Sequence, residues 1–191
     1  MKHARLIAVV NAQILAVILG WAGSLACIAA DLPGNPIIHI EDVPAFYKLY
    51  DRTQGHPTDL QLQHDYLDRG SAGLHRMAQL RNVTGASIAA AMAKHPDIYT
   101  NAKRCTAVLS AGRARVAMSM HKLRQLYPES QFPPVTIAVG RGKPVGVTDA
   151  TGVMIGLESL CAVTWLESNL EDRFVHVVAH EERLVSRHSV N

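Results

Sequence analysis

Phe174-Val175-His176-Val177-Val178-Ala179-His180-Glu181 is the stretch on which the reading of this chain turns. At about 100° per residue, Phe174, Val177, Val178, Leu184 and Val185 share one stripe of a helix. Glu181 projects near the middle of that stripe, with His180 on its flank. An ionised carboxylate on a core-facing stripe costs several kcal/mol unless a charge or strong donors meet it. A metal-bound water is one such partner. The helical pattern His-Glu-x-x-His supplies it, with two imidazoles on zinc and the glutamate as general base. Only its first half is present here, because Leu184 stands where the second histidine would fall.

Other residues do not complete the pattern. His176 and His180 are four apart on one helical face, a spacing that can chelate zinc. Glu181 then lies about 140° around the helix from His176, so the pair could hold a metal without being set up to activate water. His188 shares the face of Glu181 but sits about 12 Å along the axis from His180. His39, His56, His64, His75, His95 and His121 are scattered and read as surface or capped histidines.

Upstream, the pattern predicts helices, then a small sheet, then the His-Glu helix. Asp42-Val43-Pro44 reads as an N-cap with proline in the first turn, opening a helix through Phe46, Leu49 and Tyr50. Gly55-His56-Pro57 breaks it. Asp59 is expected to cap a second helix carrying Leu60, Tyr66, Leu67, Leu74 and Met77, interrupted at Gly70-Ser71. A third begins near Gly85-Ala86-Ser87 and is divided at His95-Pro96. A longer helix is expected from Asp97 towards Tyr127, with Ile98, Cys105, Leu109, Val116, Met120 and Leu123 at helical spacing. Met118, Met120 and His121 read as core and rim rather than as a site.

Pro133-Pro134 ends the helical region and the period changes to two. Val135-Thr136-Ile137-Ala138-Val139 is a β-branched strand. Val145-Gly146-Val147-Thr148 and Gly152-Val153-Met154-Ile155-Gly156-Leu157 follow, with turns at Gly140-Arg141-Gly142 and Asp149-Ala150-Thr151. Gly140-Arg141-Gly142-Lys143-Pro144 is not a phosphate loop. No glycine sits five residues before Gly142, and Pro144 replaces the Ser or Thr that would hold magnesium. The expected fold is therefore α+β, with a small Gly-rich mixed or antiparallel sheet.

The N-terminus addresses location. Lys2 and Arg5 precede an uncharged run from Leu6 to Ala30, which ends in Ser24, Ala26, Ala29 and Ala30. That is the order of a secretory signal, residues 1–30, cleaved after Ala29 or Ala30 into the periplasm or outside the cell. The alternative is an uncleaved membrane anchor through residues 6–30. Asn11 and Gln13 interrupt the run and favour cleavage. Cys27 lacks the leucine that a lipobox would place at Ser24. Residues 31–191 are the size of one domain. The whole chain is 48% hydrophobic, so they can still bury a core, and its formal charge of +3 is too mild to suggest nucleic acid. Cys105 and Cys161 either bridge or remain two separate thiols, and spacing does not decide between them.

The ordered set Phe132 to Gly142, Gly152 to Glu158 and Phe174 to Glu181 resembles a bacterial family of predicted zinc-dependent peptidases. These are of the DUF2268 type, with affinity to gliding-motility lipoproteins. The resemblance covers roughly Ile40 to Glu181 and implies a zincin-like fold in which a strand edge holds extended peptide beside the metal helix. It implies zinc as cofactor, His180 as first ligand, Glu181 as catalytic base, and a peptide or protein as substrate. Here the chain departs from the family. After Glu181 it reads Glu182-Arg183-Leu184-Val185-Ser186-Arg187-His188-Ser189-Val190-Asn191, without the second histidine or a third ligand. Such a charged tail is what a frameshift or truncation would write. The sequence thus leaves an exported zincin-like protein with an incomplete site, a working metallohydrolase using His176, His180 and Glu181, or a non-enzymatic periplasmic or envelope protein that binds or builds.

Overall fold

Capping side chains set where several helices of the N-terminal half begin. The computed structural model describes residues 37–128, 132–143, 146–162 and 169–188, and the side chains of residues 170 and 182–188 are outside what it describes. The expected signal 1–30 with Cys27, the strand residue Val145, and the side chains of Leu184, Val185 and His188 therefore lie outside the described residues. Among those described, no helix is long and apolar enough to cross a membrane.

A short strand, β1 (Ile38–His39), precedes α1 (Asp42–Arg52). The sequence reading missed β1 because two residues carry no period. Asp42 does not cap its own helix, contrary to expectation. It is helical and buried, and its carboxylate accepts the Ser71 amide at 2.9 Å and the Ser71 hydroxyl at 2.5 Å. The following helix, α2 (Asp59–Gln61), is capped by Thr58 rather than Asp59, through a reciprocal Thr58–Gln61 capping box. It continues as a π-turn at Leu62–Tyr66 and a 3₁₀ turn at Leu67–Arg69. The expected interruption at Gly70-Ser71 is real, since Ser71 caps α3 (Ala72–Arg81) by accepting the Leu74 amide. Asn82 ends α3 in the left-handed region, and a Thr84–Ser87 box opens α4 (Gly85–Lys94).

The long helix expected from Asp97 to Tyr127 is two. α5 (Pro96–Cys105) gives way to a 3₁₀ turn at Thr106–Val108 before α6 (Leu109–Leu126). Two local features sit at the break: Thr106 donates its hydroxyl to the Lys103 carbonyl at 2.7 Å, and Cys105 is disulfide-bonded to Cys161. Helical periodicity runs through such a break because the turn changes direction without changing which residues are apolar.

The sheet comprises β2 (Val135–Ala138), β3 (Gly146–Asp149) and β4 (Gly152–Gly156) beside β1, in the order β1-β2-β4-β3. β1, β2 and β4 run parallel, while β3 is an antiparallel edge strand closed onto β4 by the Asp149–Gly152 hairpin. The fold is thus mixed α+β with a mixed sheet. Leu157, expected at the end of a strand, instead opens a short helix, α7 (Leu157–Ala162), that the sequence reading lacked. Finally α8 (Leu170–His188) carries the His-Glu pair.

Register sorts the sheet into two faces. Val135, Ile137, Val153, Ile155, Gly146 and Thr148 share one, and Thr136, Met154, Val147 and Asp149 the other. The second face meets α3, which comes so close that a Cβ on Gly73 would lie 1.9 Å from Thr136 Oγ1. Arg76 of α3 also bonds Asp149 at 2.5 Å. The first face meets α8, whose Phe174, Val177 and Val178 are buried as the stripe predicts. Met120 joins the core, whereas Met118 is exposed. Cys105 and Cys161 form a disulfide between α5 and α7.

Candidate functional site

The His-Glu helix and the edge strand meet at one carboxylate. Glu181 is half-buried, and its Oε2 accepts the Thr148 hydroxyl of β3 at 2.5 Å. Beside it, a Cβ on Gly146 would fall 2.6 Å from Glu181 Oε1. Gly146 and Thr148 lie two apart on the strand, so both face α8. The missing side chain of one makes the recess, and the hydroxyl of the other supplies the donor. The stripe argument thus correctly demanded a partner for Glu181, and among the described residues that partner is a strand hydroxyl.

The histidines lie differently. His176 and His180 are both exposed on α8. Among the described residues no three His, Cys, Asp or Glu side chains gather in a way that could hold a metal ion. The two imidazoles remain the pair that spacing offers, and Glu181 is engaged by β3. Three of the other histidines serve local ends. His39 pairs with Glu41, His64 with Asp68, and His75 Nε2 meets the Leu67 carbonyl at 2.8 Å.

A fully buried carboxylate escaped the sequence reading as a site residue. Glu158, in the first turn of α7, is 1% exposed. Its Oε2 accepts the Gly140 amide at 3.0 Å and its Oε1 the Gly142 amide at 2.9 Å. Burial pushes its pKa above the usual carboxylate value, against the pull of those amides. The same segment is held by tyrosines. The Tyr66 hydroxyl donates to the Val139 carbonyl and accepts the Val139 amide, both at 2.8 Å, and Tyr99 donates to the Gly140 carbonyl at 3.0 Å. Burial raises both phenols, so they stay neutral donors. At the other end of α7, buried Arg173 donates to the carbonyls of Leu160 and Cys161, each at 3.1 Å. One carboxylate flanked by apolar residues, Ile155-Gly156-Leu157-Glu158, was the available signal, of the same kind that singled out Glu181.

Compared with family models, with curated proteins and with solved structures, the chain matches none of them.

Proposed function

We propose that this is an exported, zincin-like protein whose peptidase site is incomplete, and that it engages extended peptide without cleaving it. The reading is supported above all by the placement of Glu181 beneath the antiparallel edge strand β3, held by Thr148. An edge strand leaves main-chain groups available to an added strand, which gives affinity through backbone hydrogen bonds. A peptide added there would run past Glu181. Hydrolysis needs more: a water activated on a metal with at least three protein ligands. Leu184 removes the second histidine of the motif, and His176 with His180 offers two imidazoles at a spacing that does not aim Glu181 at a shared ion. Zinc, if taken up, would be held by His176 and His180.

A non-enzymatic envelope protein of purely structural role is the second reading. It is favoured by the same Thr148 bond, which uses the carboxylate to join α8 to β3.

The test incubates the purified chain, with and without added zinc, with a mixture of extended peptides. The expected result is perturbation of the Gly146–Asp149 amides without cleavage above the Glu181→Gln background. Cleavage above that background would make the protein a working metallohydrolase on His176, His180 and Glu181. Unperturbed amides would leave only the structural role.

A further inference from the structure

Between the start of α3 and the strands β1, β2 and β4 lies a cavity of about 420 Å³, on the sheet face opposite Glu181. Its wall is rich in donors. Ser71 gives its amide to Asp42 and caps α3 by accepting the Leu74 amide, and the His75 amide bonds the Ser71 carbonyl. The two amides between them, of Ala72 and Gly73, are first-turn groups with no acceptor inside the helix. No described residue accepts from either, and both residues line the cavity.

A side chain of β2 meets them there. Thr136 Oγ1 stands where a side chain on Gly73 would have to begin. Thr136 is 3% exposed and lines the same cavity, yet its hydroxyl makes no hydrogen bond to any described residue. Valine would suit the strand equally well without burying an unbonded hydroxyl, which is costly. Charge points the same way. Among the described residues no aspartate or glutamate lines the cavity, whereas Arg76 does. Arg76 bonds Asp149 through Nε at 2.5 Å and Gln79 through Nη1 at 3.3 Å, which leaves part of its guanidinium for another acceptor. Amides at the start of a helix, aided by its dipole, favour a negative group. Met154, 2% exposed, adds an apolar surface, and the volume is that of a small-molecule site rather than of a bare ion.

We propose that this cavity binds a small organic oxyanion. Its carboxylate or phosphate group sits on the Ala72 and Gly73 amides and the Thr136 hydroxyl, with Arg76 on the same wall and the apolar part of the ligand against Met154. The site lies on the face away from Glu181 and stands whether or not β3 engages peptide.

The experiment is an NMR amide-shift titration of the full chain with inorganic phosphate and, separately, acetate, with chloride holding the ionic strength constant. Saturable shifts are expected at Ala72 and Gly73, well above those at Ala86, a first-turn amide of α4 that controls for general attraction of anions. Saturation by phosphate alone would assign a phosphorylated ligand and by acetate alone a carboxylate, and either supports the site. Thr136→Val is expected to weaken binding about tenfold, the worth of a hydrogen bond to a charged group, and Thr136→Ser to keep it. Should the valine variant fail to fold, the wild-type comparison of Gly73 with Ala86 decides alone. Shifts that do not saturate, an equal response at Ala86, or undiminished binding by Thr136→Val would overturn the proposal.

Discussion

Replacing Gly146 with alanine tests how the edge strand seats the carboxylate of the His-Glu helix. The new Cβ would lie 2.6 Å from Glu181 Oε1, 2.8 Å from its Cδ and 3.0 Å from its Cγ. Those separations are too short to persist. What yields is the far end of a flexible side chain, so Glu181 swings aside rather than β3 leaving the sheet. The swing breaks the 2.5 Å bond from Thr148. A hydrogen bond to a charged group contributes about 1.5–3 kcal/mol, and half-exposure of Glu181 reduces that. We therefore expect a loss of about 1–2 kcal/mol, a shift of several degrees in melting temperature for a chain of this size. The decisive assay is a double-mutant cycle by urea denaturation. In a Glu181→Ala background there is no carboxylate to displace, and Gly146→Ala should cost no more than about 0.5 kcal/mol. An equal cost in both backgrounds would refute the reasoning, since the collision would then be with something other than Glu181.

Gly73 makes a harsher prediction. Its added Cβ would meet Thr136 Oγ1 at 1.9 Å, Cβ at 2.5 Å and Cγ2 at 2.8 Å, all on a stiff β-branched side chain. Gly73→Ala should lift α3 from the sheet and cost about 3 kcal/mol or more, with partial recovery when Thr136→Ala is added; an unchanged urea midpoint would contradict this packing. The Cys105–Cys161 bridge closes a loop with a sequence separation of 56 residues. On the chain-entropy model it contributes about 4 kcal/mol, so melting with and without reductant should differ widely, and coincident transitions would rule the contribution out.

The sequence made the class of fold legible where periods were long and unbroken. The change from helical to two-residue spacing at Pro133-Pro134 located the sheet, and the apolar stripe of α8 correctly put Phe174, Val177 and Val178 inside. It failed where the deciding interaction is non-local. Asp42 looks like a cap because its chain neighbours are helical, but its partner is Ser71, brought near only by folding. The 3₁₀ break at Thr106 leaves the apolar spacing intact and is invisible to it. β1 is too short to show a period, and α7 hides behind the strand-like composition of the residues before it. At the site, the need of Glu181 for a partner was readable from one helix. That Thr148 answers it required the register of β3 against β4, which no local pattern carries.

The strand order β1-β2-β4-β3 also sets a schedule for the chain. β3 and β4 meet through a hairpin at Asp149–Gly152 and can pair as soon as both exist. β1, by contrast, finds its partner β2 only where Ile38 meets Val135, after every helix from α1 to α6 has been made. Closing that span rather than the hairpin costs about 3 kcal/mol more in chain entropy. With two residues, β1 gains little in return, so it is expected to dock last and to leave first. The rate at which the sheet completes is then governed by the helical half, and a fault there would leave the β2 edge uncovered while the hairpin beside it is already formed.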